Sequence, residues 1–442
     1  MAGQSVGLAL VAALLGVTLA SLLALVPALH VVTVAGLMLA IADALQPSLP
    51  AELWVFLLLG LTVGYGTLNA LPSIFLAAPD DSTVFVVLPG ERYVLERRGH
   101  EAVVLTGIGS LGSIVVLALL APLASAWVPD VHAVLQPHLH WIMWALIAWL
   151  LLSEWPKGGE HGPSGWLRLG RAWRNLAAGL ATFLLSGALG LILSYRSPLS
   201  VNAAQQGLMP AFTGLFAVPW LLQSLIARID IPRQHLAPSV DVQAGMVLRG
   251  VLTGVFGGLF AAFFPVVTGG IGALMAGHAT AQRDDRLFLL SQGAQKAVYY
   301  VGSLLLFFIP GMHLTRGGVA WLISSRWESI GPGSFALTVA LILISGALSF
   351  LLLFPLSRLL AGLVGRLPRR WLTLTTLALL IAGVAAVAGW PGLLVCAVAT
   401  GIGLIPLLWG ARRANCMGVL LLPLALDLVG LGSRIVAWLG LV

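Results

Sequence analysis

GLALVAALLGVTLASLLALVPALHVVTVAGLMLAIADAL, residues 7–45, decides the class of this chain. About 20 apolar residues in a helix cross a bilayer core, and this run is nearly twice that long. Its interruption is LVPALH, residues 25–30. Pro27 removes a backbone N–H and clashes with the preceding turn, so a helix kinks or breaks there. The run therefore reads as a hairpin inside the membrane or as two half-helices. Broken backbone is tolerated at that depth only within protein or along a cavity, which makes Pro27 a site candidate.

A second run, residues 246–281, has the same form. It too exceeds one span, and FFPVVTGG at 263–270 interrupts it in the middle. Pro27 and Pro265 lie close to half the chain apart. Interrupted helices at corresponding places in two halves point to a midplane binding site in a transporter built from inverted repeats.

Composition supports this class. Hydrophobic residues make up 59% of the 442 and charged ones 9%, with a mean hydropathy of +1.00; a soluble domain carries about 25% charged residues. Apolar runs of span length recur from end to end, where a transmembrane β-barrel would show short alternating segments. The expected fold is an all-α polytopic membrane protein with ten to twelve membrane segments in two inverted repeats. Each repeat carries a proline-broken hairpin, re-entrant or discontinuous. The first repeat spans 1–155, a cytoplasmic linker 156–174, and the second repeat with its C-terminal helices 175–442.

The net charge of +7 would suggest nucleic acid in a soluble protein. Here the basic residues sit in short loops, at Lys157, Arg168, Arg171 and Arg174, at Arg366, Arg369 and Arg370, and at Arg412 and Arg413. That is the positive-inside pattern of a multi-pass protein of a bacterial or archaeal plasma membrane, with these loops in the cytoplasm. No basic patch is interleaved with aromatics, so nucleic acid is not an expected partner. Cys396 and Cys416 have no ligand spacing. His132, His138 and His140 have only Asp130 beside them and read as part of an interfacial aromatic belt, so no metal is expected. The N-terminus lacks a basic n-region and reads as a first membrane helix.

PSIFLAAPDDSTVFVVLPGERYVLERRGHE, residues 72–101, concentrates charge and turn chemistry between two apolar spans. Ionisable groups at membrane depth cost roughly 2.5–3.5 kcal/mol each and so face a cavity or a partner. Asp80 and Asp81 either cap the following helix with Ser82 and Thr83 or accept a coupling proton or sodium ion. Arg92 and Arg98 follow the Pro89-Gly90 turn and offer guanidinium forks to an anion. The alternative is a solvated loop in which Glu91, Glu96 and Glu101 neutralise them.

A half-helix that starts after a proline break presents free N–H groups and the positive end of its dipole, which suit a carboxylate or phosphate. The substrate-binding candidates are therefore Pro27, His30 and Thr33 at the first break and Pro265, Thr268, Gly269 and Gly270 at the second. The two threonines alternatively bond their own backbone. Lys296, with Gln292 in SQGAQKAVYYVG, is the polar contribution of the second half. No Gly-x-Ser-x-Gly elbow, His-Glu-x-x-His pair or phosphate loop is present, so no enzyme is expected.

Phe75–Thr83 (FLAAPDDST), LPGER at 88–92 and RGHEA at 98–102 resemble the hallmark stretch of the large permease subunit of tripartite tricarboxylate transporters. The likeness is greater still to its shorter, stand-alone archaeal-type relatives. LVPALHVVT (25–33), GLMPAFTGLFAVPWLL (207–222) and RRANCMGVLLLP (412–423) are similar to its further signatures. The resemblance implies a secondary transporter for a small organic carboxylate, coupled to a proton or sodium gradient and needing no cofactor. Its partners are the anionic substrate and membrane lipids, with a homodimer left open. The family's hairpins carry Pro-Gly, where this chain has Pro27-Ala28 and Pro265-Val266. Residues 265–270 are also similar to the Pro-x-x-Ser-Gly-Gly hairpins of undecaprenyl-phosphate translocases, which sets an anionic polyprenyl-phosphate lipid beside the carboxylate as the alternative substrate. On either reading Arg92→Ala is expected to abolish ligand binding.

Overall fold

A computed structural model describes residues 3–25, 30–44, 50–79, 82–83, 85–155, 165–199, 208–226, 231–237, 239–265, 267–280, 284–310, 312, 314–324 and 332–441. Among them every regular element is helical. In chain order they are α1 (Gly3–Leu23), α2 (Val31–Ala44), α3 (Ala51–Leu68), α4 (Ala70–Phe75), α5 (Val87–Leu95) and α6 (Gly99–Leu135). Next come α7 (Leu139–Leu152), α8 (Trp166–Tyr195), α9 (Leu208–Ile226), α10 (Ala244–Phe263), α11 (Gly269–Thr280) and α12 (Asp285–Phe308). The last are α13 (Gly318–Ser324), α14 (Pro332–Val364), α15 (Arg369–Trp409), α16 (Gly418–Leu428) and α17 (Gly432–Trp438).

Among the described residues eight helical stretches are long and apolar enough to cross a membrane, and nine if a pair bent by 112°, Arg413–Leu428 with Gly432–Trp438, counts as one span. This is fewer than the ten to twelve expected, for two physical reasons. Gly99–Leu152 and Arg370–Trp409 each run on as one stretch, of 54 and 40 residues, although α15 carries a sharp kink at Gly389, whose φ of 60° suits only glycine. α12 is long enough to cross but falls outside the apolar set; Gln292, Gln295 and Lys296 lie within it.

The second proline break forms where the sequence places it. α10 stops at Phe263, and Phe264 turns extended (φ −81°, ψ 135°), the conformation that a following proline imposes. α11 starts four residues after Pro265. At the first break α1 ends before residue 24 and α2 begins at Val31.

Contacts divide the chain into two units, Met1–Asp130 with Ser224–Leu380, and Val131–Gln223 with Ile381–Val442. The first unit holds both broken runs. In it a long helix, a break, a shorter helix and a second long helix occur twice, as α1–α2–α3 and as α10–α11–α12. In each set the first helix packs along the third. Small residues permit this: a Cβ at Gly16 would overlap the Leu57 carbonyl, one at Gly60 the Ala13 carbonyl, and one at Gly254 the Ser291 carbonyl. Such close backbone approach is how helices associate where lipid removes the hydrophobic drive between them.

α12 is the centre of the first unit. Nearly every residue from Leu287 to Phe308 is buried, with α3, α5, α10, α11, α13 and α14 around it. α6 also closes on it, because Gly109 and Gly293 bring the two backbones together and Ser110 Oγ donates to the Gly293 carbonyl at 3.0 Å. The neighbouring α14 is the reverse: it buries Ser345 and Ser349 and exposes Leu351 (64%) and Leu359 (57%). Exposed leucine over buried serine is the arrangement expected where the outer solvent is hydrocarbon.

In the second unit α8 packs on α16, where Gly190 meets the Val419 carbonyl. α9 carries a π-helical turn at Thr213–Ala217 that Gly403 admits against the Leu215 carbonyl. Glu154 is buried there and accepts from Arg412 N and Asn415 Nδ2, each at 2.7 Å.

Candidate functional site

His30 is the first described residue after the first break, and it fastens the start of α2. Its carbonyl accepts from Val34 N at 3.3 Å and its Nδ1 from Val32 N at 3.3 Å, which satisfies backbone donors that a helix start leaves without partners. With Nδ1 accepting, the ring proton belongs on Nε2. That atom lies 3.3 Å from Tyr300 Oη, which donates in turn to Ser82 Oγ at 3.3 Å. The rings of His30, Tyr65 and Tyr300 cluster around this chain of bonds, with the Tyr65–Tyr300 pair edge-to-face at 5.4 Å, a favoured aromatic geometry.

Ser82 leads to the second break. A Cβ at Gly269 would lie 2.9 Å from Ser82 Cβ, so the 82–83 stretch rests directly on the first residue of α11. Ser73 Oγ donates to Thr83 Oγ1 at 2.8 Å and holds the stretch from the α4 side. The carbonyl of Thr268 starts α11 by accepting from Ile271 N at 3.1 Å and Gly272 N at 3.2 Å, and that of Gly269 accepts from Gln295 Nε2 at 2.6 Å. Gly270 follows, buried, in the first turn of α11. One turn along α12 from Gln292, Lys296 is 1% exposed and donates from Nζ to the Thr67 carbonyl at 3.3 Å. The Gln292 amide, Gln295 Oε1 and Thr67 Oγ1 are buried without a hydrogen-bond partner among the described residues. Buried polar atoms left unpaired in this way are costly and are characteristic of functional sites.

Beside this cluster lies a cavity of about 40 Å³. His30, Thr62, Tyr299, Tyr300, Ser303 and Arg316 are the polar residues in its wall, with Val31 and Val319 among the apolar ones. The cavity thus joins His30 at the start of α2, Tyr300 and Ser303 on the polar face of α12 and Arg316 ahead of α13, while Ser82 and the start of α11 connect to it through Tyr300. A family model described as the Tripartite tricarboxylate transporter TctA family matches residues 10–418.

The chain belongs to this family.

It is accordingly a multi-pass protein of the cytoplasmic membrane and a transporter rather than an enzyme. It is also 26% identical over 363 residues to the uncharacterised protein MJ1079 of Methanocaldococcus jannaschii, covering 82% of this chain and 83% of that protein. No solved structure matches the chain.

Of the candidates read from the sequence of this TctA-family protein, the structure brings His30, Thr268, Gly269, Gly270 and Lys296 to α12 and its surroundings. Pro265 is half-buried at the second break. Pro27, Asp80 and Asp81 lie outside the described residues, as does the side chain of Thr33. Arg92 and Arg98 belong to a separate charged cluster. Arg92 pairs with Asp285, at the start of α12. Arg98 grips Glu101 with two N–H groups at 2.9 and 2.8 Å, meets Glu96 at 3.2 Å and lies 4.7 Å over the Tyr93 ring. Glu101 holds the Arg98 guanidinium above the usual arginine value, and burial holds the Tyr93 phenol above its own. Arg286 also reaches Glu101, at 3.3 Å. Gln234 fastens this corner by accepting from Gly99 N at 3.0 Å and donating to the Val94 carbonyl at 2.9 Å. Among the described residues no three His, Cys, Asp or Glu side chains come together as a metal site.

Sequence reasoning missed Tyr65, Tyr300, Ser303 and Arg316. A signal for the middle two existed: Gln292, Gln295, Lys296, Tyr299, Tyr300 and Ser303 recur three and four apart, which puts them on one stripe of a helix. Arg316 carries no such local signal.

Proposed function

We propose that this TctA-family protein is a secondary carrier that moves a small organic carboxylate across the cytoplasmic membrane, coupled to a proton or sodium gradient. The observation that carries this reading is the meeting of the two broken runs: Tyr300 bonds both His30 and Ser82, and Ser82 rests on Gly269, beside a polar cavity. Discontinuous helices whose ends converge at one place are how many carriers hold an anion without crossing the membrane with a charged helix. The first turn of α11 supplies N–H groups and a positive dipole end for the carboxylate. Asp80 and Asp81 immediately precede Ser82 in the chain and are the coupling carboxylates of this reading.

The finer architecture belongs to the same proposal. At about 1.5 Å per residue, the 54- and 40-residue runs are each long enough for two crossings of a core about 30 Å thick. Counting each twice and adding α12 turns eight spans into eleven. We read these as two inverted repeats, 1–155 and 175–442, joined by a cytoplasmic linker at 156–174. The recurrence of α1–α2–α3 as α10–α11–α12 supports this.

Purified protein tested by thermal shift with citrate, succinate and a polyprenyl phosphate checks the substrate class. Stabilisation by the carboxylates is expected, followed in proteoliposomes by uptake that an imposed pH or sodium gradient accelerates. Stabilisation by the lipid phosphate alone would replace this function with lipid translocation, and stabilisation by none of them would remove both.

A further inference from the structure

The cavity beside His30 contains a cation whose surroundings differ from those of the other arginines in the first unit's clusters. Arg92, Arg98 and Arg286 each face a carboxylate. Arg316 faces none among the described residues. Its Nε donates to the Phe263 carbonyl at 3.0 Å, the last residue of α10 before the second break. No hydrogen bond or ion pair of its Nη1 or Nη2 occurs among the described residues.

This geometry has a chemical consequence. A guanidinium carries five N–H groups in a rigid plane, and the edge formed by Nη1 and Nη2 matches the two oxygens of a carboxylate. Fixing Arg316 through Nε orients the plane and leaves that edge for a ligand. This arginine shares the cavity wall with His30, Tyr300 and Ser303, and Tyr300 links His30, beside the first break, to Ser82, which rests on Gly269, beyond the second. The volume sets the size of what enters. At about 10–15 Å³ of the same measure per water, a cavity of about 40 Å³ holds roughly three heavy atoms, the size of a single carboxylate group.

We propose that Arg316 is the principal substrate-binding residue, and that the cavity takes one carboxylate group of the substrate while the remainder of the molecule lies outside it. This rests on the carboxylate-carrier function above and specifies its site. Because Nε holds the carbonyl that ends α10, occupation of the Nη edge ties the ligand directly to the second break. Recognition by one carboxylate further means that a ligand carrying a single such group, acetate, occupies the same site as citrate.

The test is calorimetric titration of the full-length protein with acetate, succinate, citrate and inorganic phosphate, in the wild type and in Arg316→Gln. The wild type is expected to bind all three carboxylates and Arg316→Gln to bind each at least tenfold more weakly. Wild-type affinity in Arg316→Gln would overturn the proposal while leaving the carrier function standing. Failure of the wild type to bind any carboxylate would instead remove the function and this inference with it. Binding of succinate and citrate without acetate would overturn the one-carboxylate assignment. Should Arg316→Gln fail to fold, Arg316→Lys decides in its place. It keeps the charge and a donor for the Phe263 carbonyl but lacks the fork, so at least threefold weaker binding supports the proposal and wild-type binding overturns it.

Discussion

The corner where α5 meets α6 and the cavity beside His30 both hold arginines in the first unit, and they use them differently. At the corner Arg92, Arg98 and Arg286 are matched by Asp285, Glu96 and Glu101. In the cavity Arg316 meets a backbone carbonyl. Paired charges of opposite sign set geometry and leave little field over for a third party. A cation facing a carbonyl retains nearly its whole charge for whatever enters. The charges of the corner are therefore matched within it, whereas Arg316 faces no carboxylate among the described residues.

The sharpest way to break this contrast is at the cavity itself. Tyr300→Phe keeps the ring against Tyr65 and removes the hydroxyl that joins His30 to Ser82. Uptake in proteoliposomes is expected to fall at least tenfold with the unfolding temperature nearly unchanged; wild-type uptake would return the hydroxyl to a packing role. Glu101→Gln works from the other side. It removes the carboxylate shared by Arg98 and Arg286 and is expected to lower stability by about 1–3 kcal/mol, read by denaturant or thermal unfolding, while uptake at saturating substrate persists.

Glu154 in the second unit offers a third case, a carboxylate met by N–H groups. Burial raises its pKa above the usual glutamate value, against the opposing pull of the Arg412 N–H and the Asn415 amide. The native state then keeps its proton to higher pH than the unfolded chain does. Stability therefore falls as pH rises from the ordinary glutamate value to the raised one and is flat above it. Glu154→Gln, whose amide oxygen still accepts both bonds, is expected to flatten that slope in unfolding measured across the window; an unchanged slope would assign the pH dependence elsewhere. The smallest effect belongs to Arg92→Ala, in place of the loss of binding expected from the sequence alone, because Arg92 is engaged by Asp285. With Arg92 largely exposed and already paired to Asp285, it is expected to change stability by about 0–1 kcal/mol and carboxylate affinity by less than about twofold. A large loss of affinity would make the corner part of the binding site and erase the contrast.

Much of the fold could be read from the chain because lipid imposes simple rules. Runs of span length, the prolines that interrupt them and the basic loops follow from hydropathy and backbone chemistry alone. The second break formed at Phe263–Thr268 for the reason Pro265 gives. The candidate site was legible only in part. His30, Thr268 and Lys296 stand beside breaks or inside an apolar helix, where a polar residue draws notice. Tyr300 joins His30 to Ser82 across 270 and 218 positions, and no local pattern encodes such a pairing. Arg316 lies in a short connection whose composition matches any loop, and only the carbonyl of Phe263, 53 positions earlier, distinguishes it. The span count fell short because two long runs each count once and because α12 carries Gln292, Gln295 and Lys296, residues that hydropathy penalises.

α12 touches α6 backbone to backbone through Gly109 and Gly293, and α10 presses on it through Gly254, against the Ser291 carbonyl and the small Ala294 side chain. Two rods fitted so closely cannot slide, because a shift of one residue, about 1.5 Å, replaces glycine by a neighbour whose Cβ overlaps the facing carbonyl. α12 therefore serves as the axle of the first unit. In the proposed carrier, rocking that exposes the cavity first to one side and then to the other falls to the shorter helices packed on α12, α11 and α13, so the substrate is handed past a stationary post.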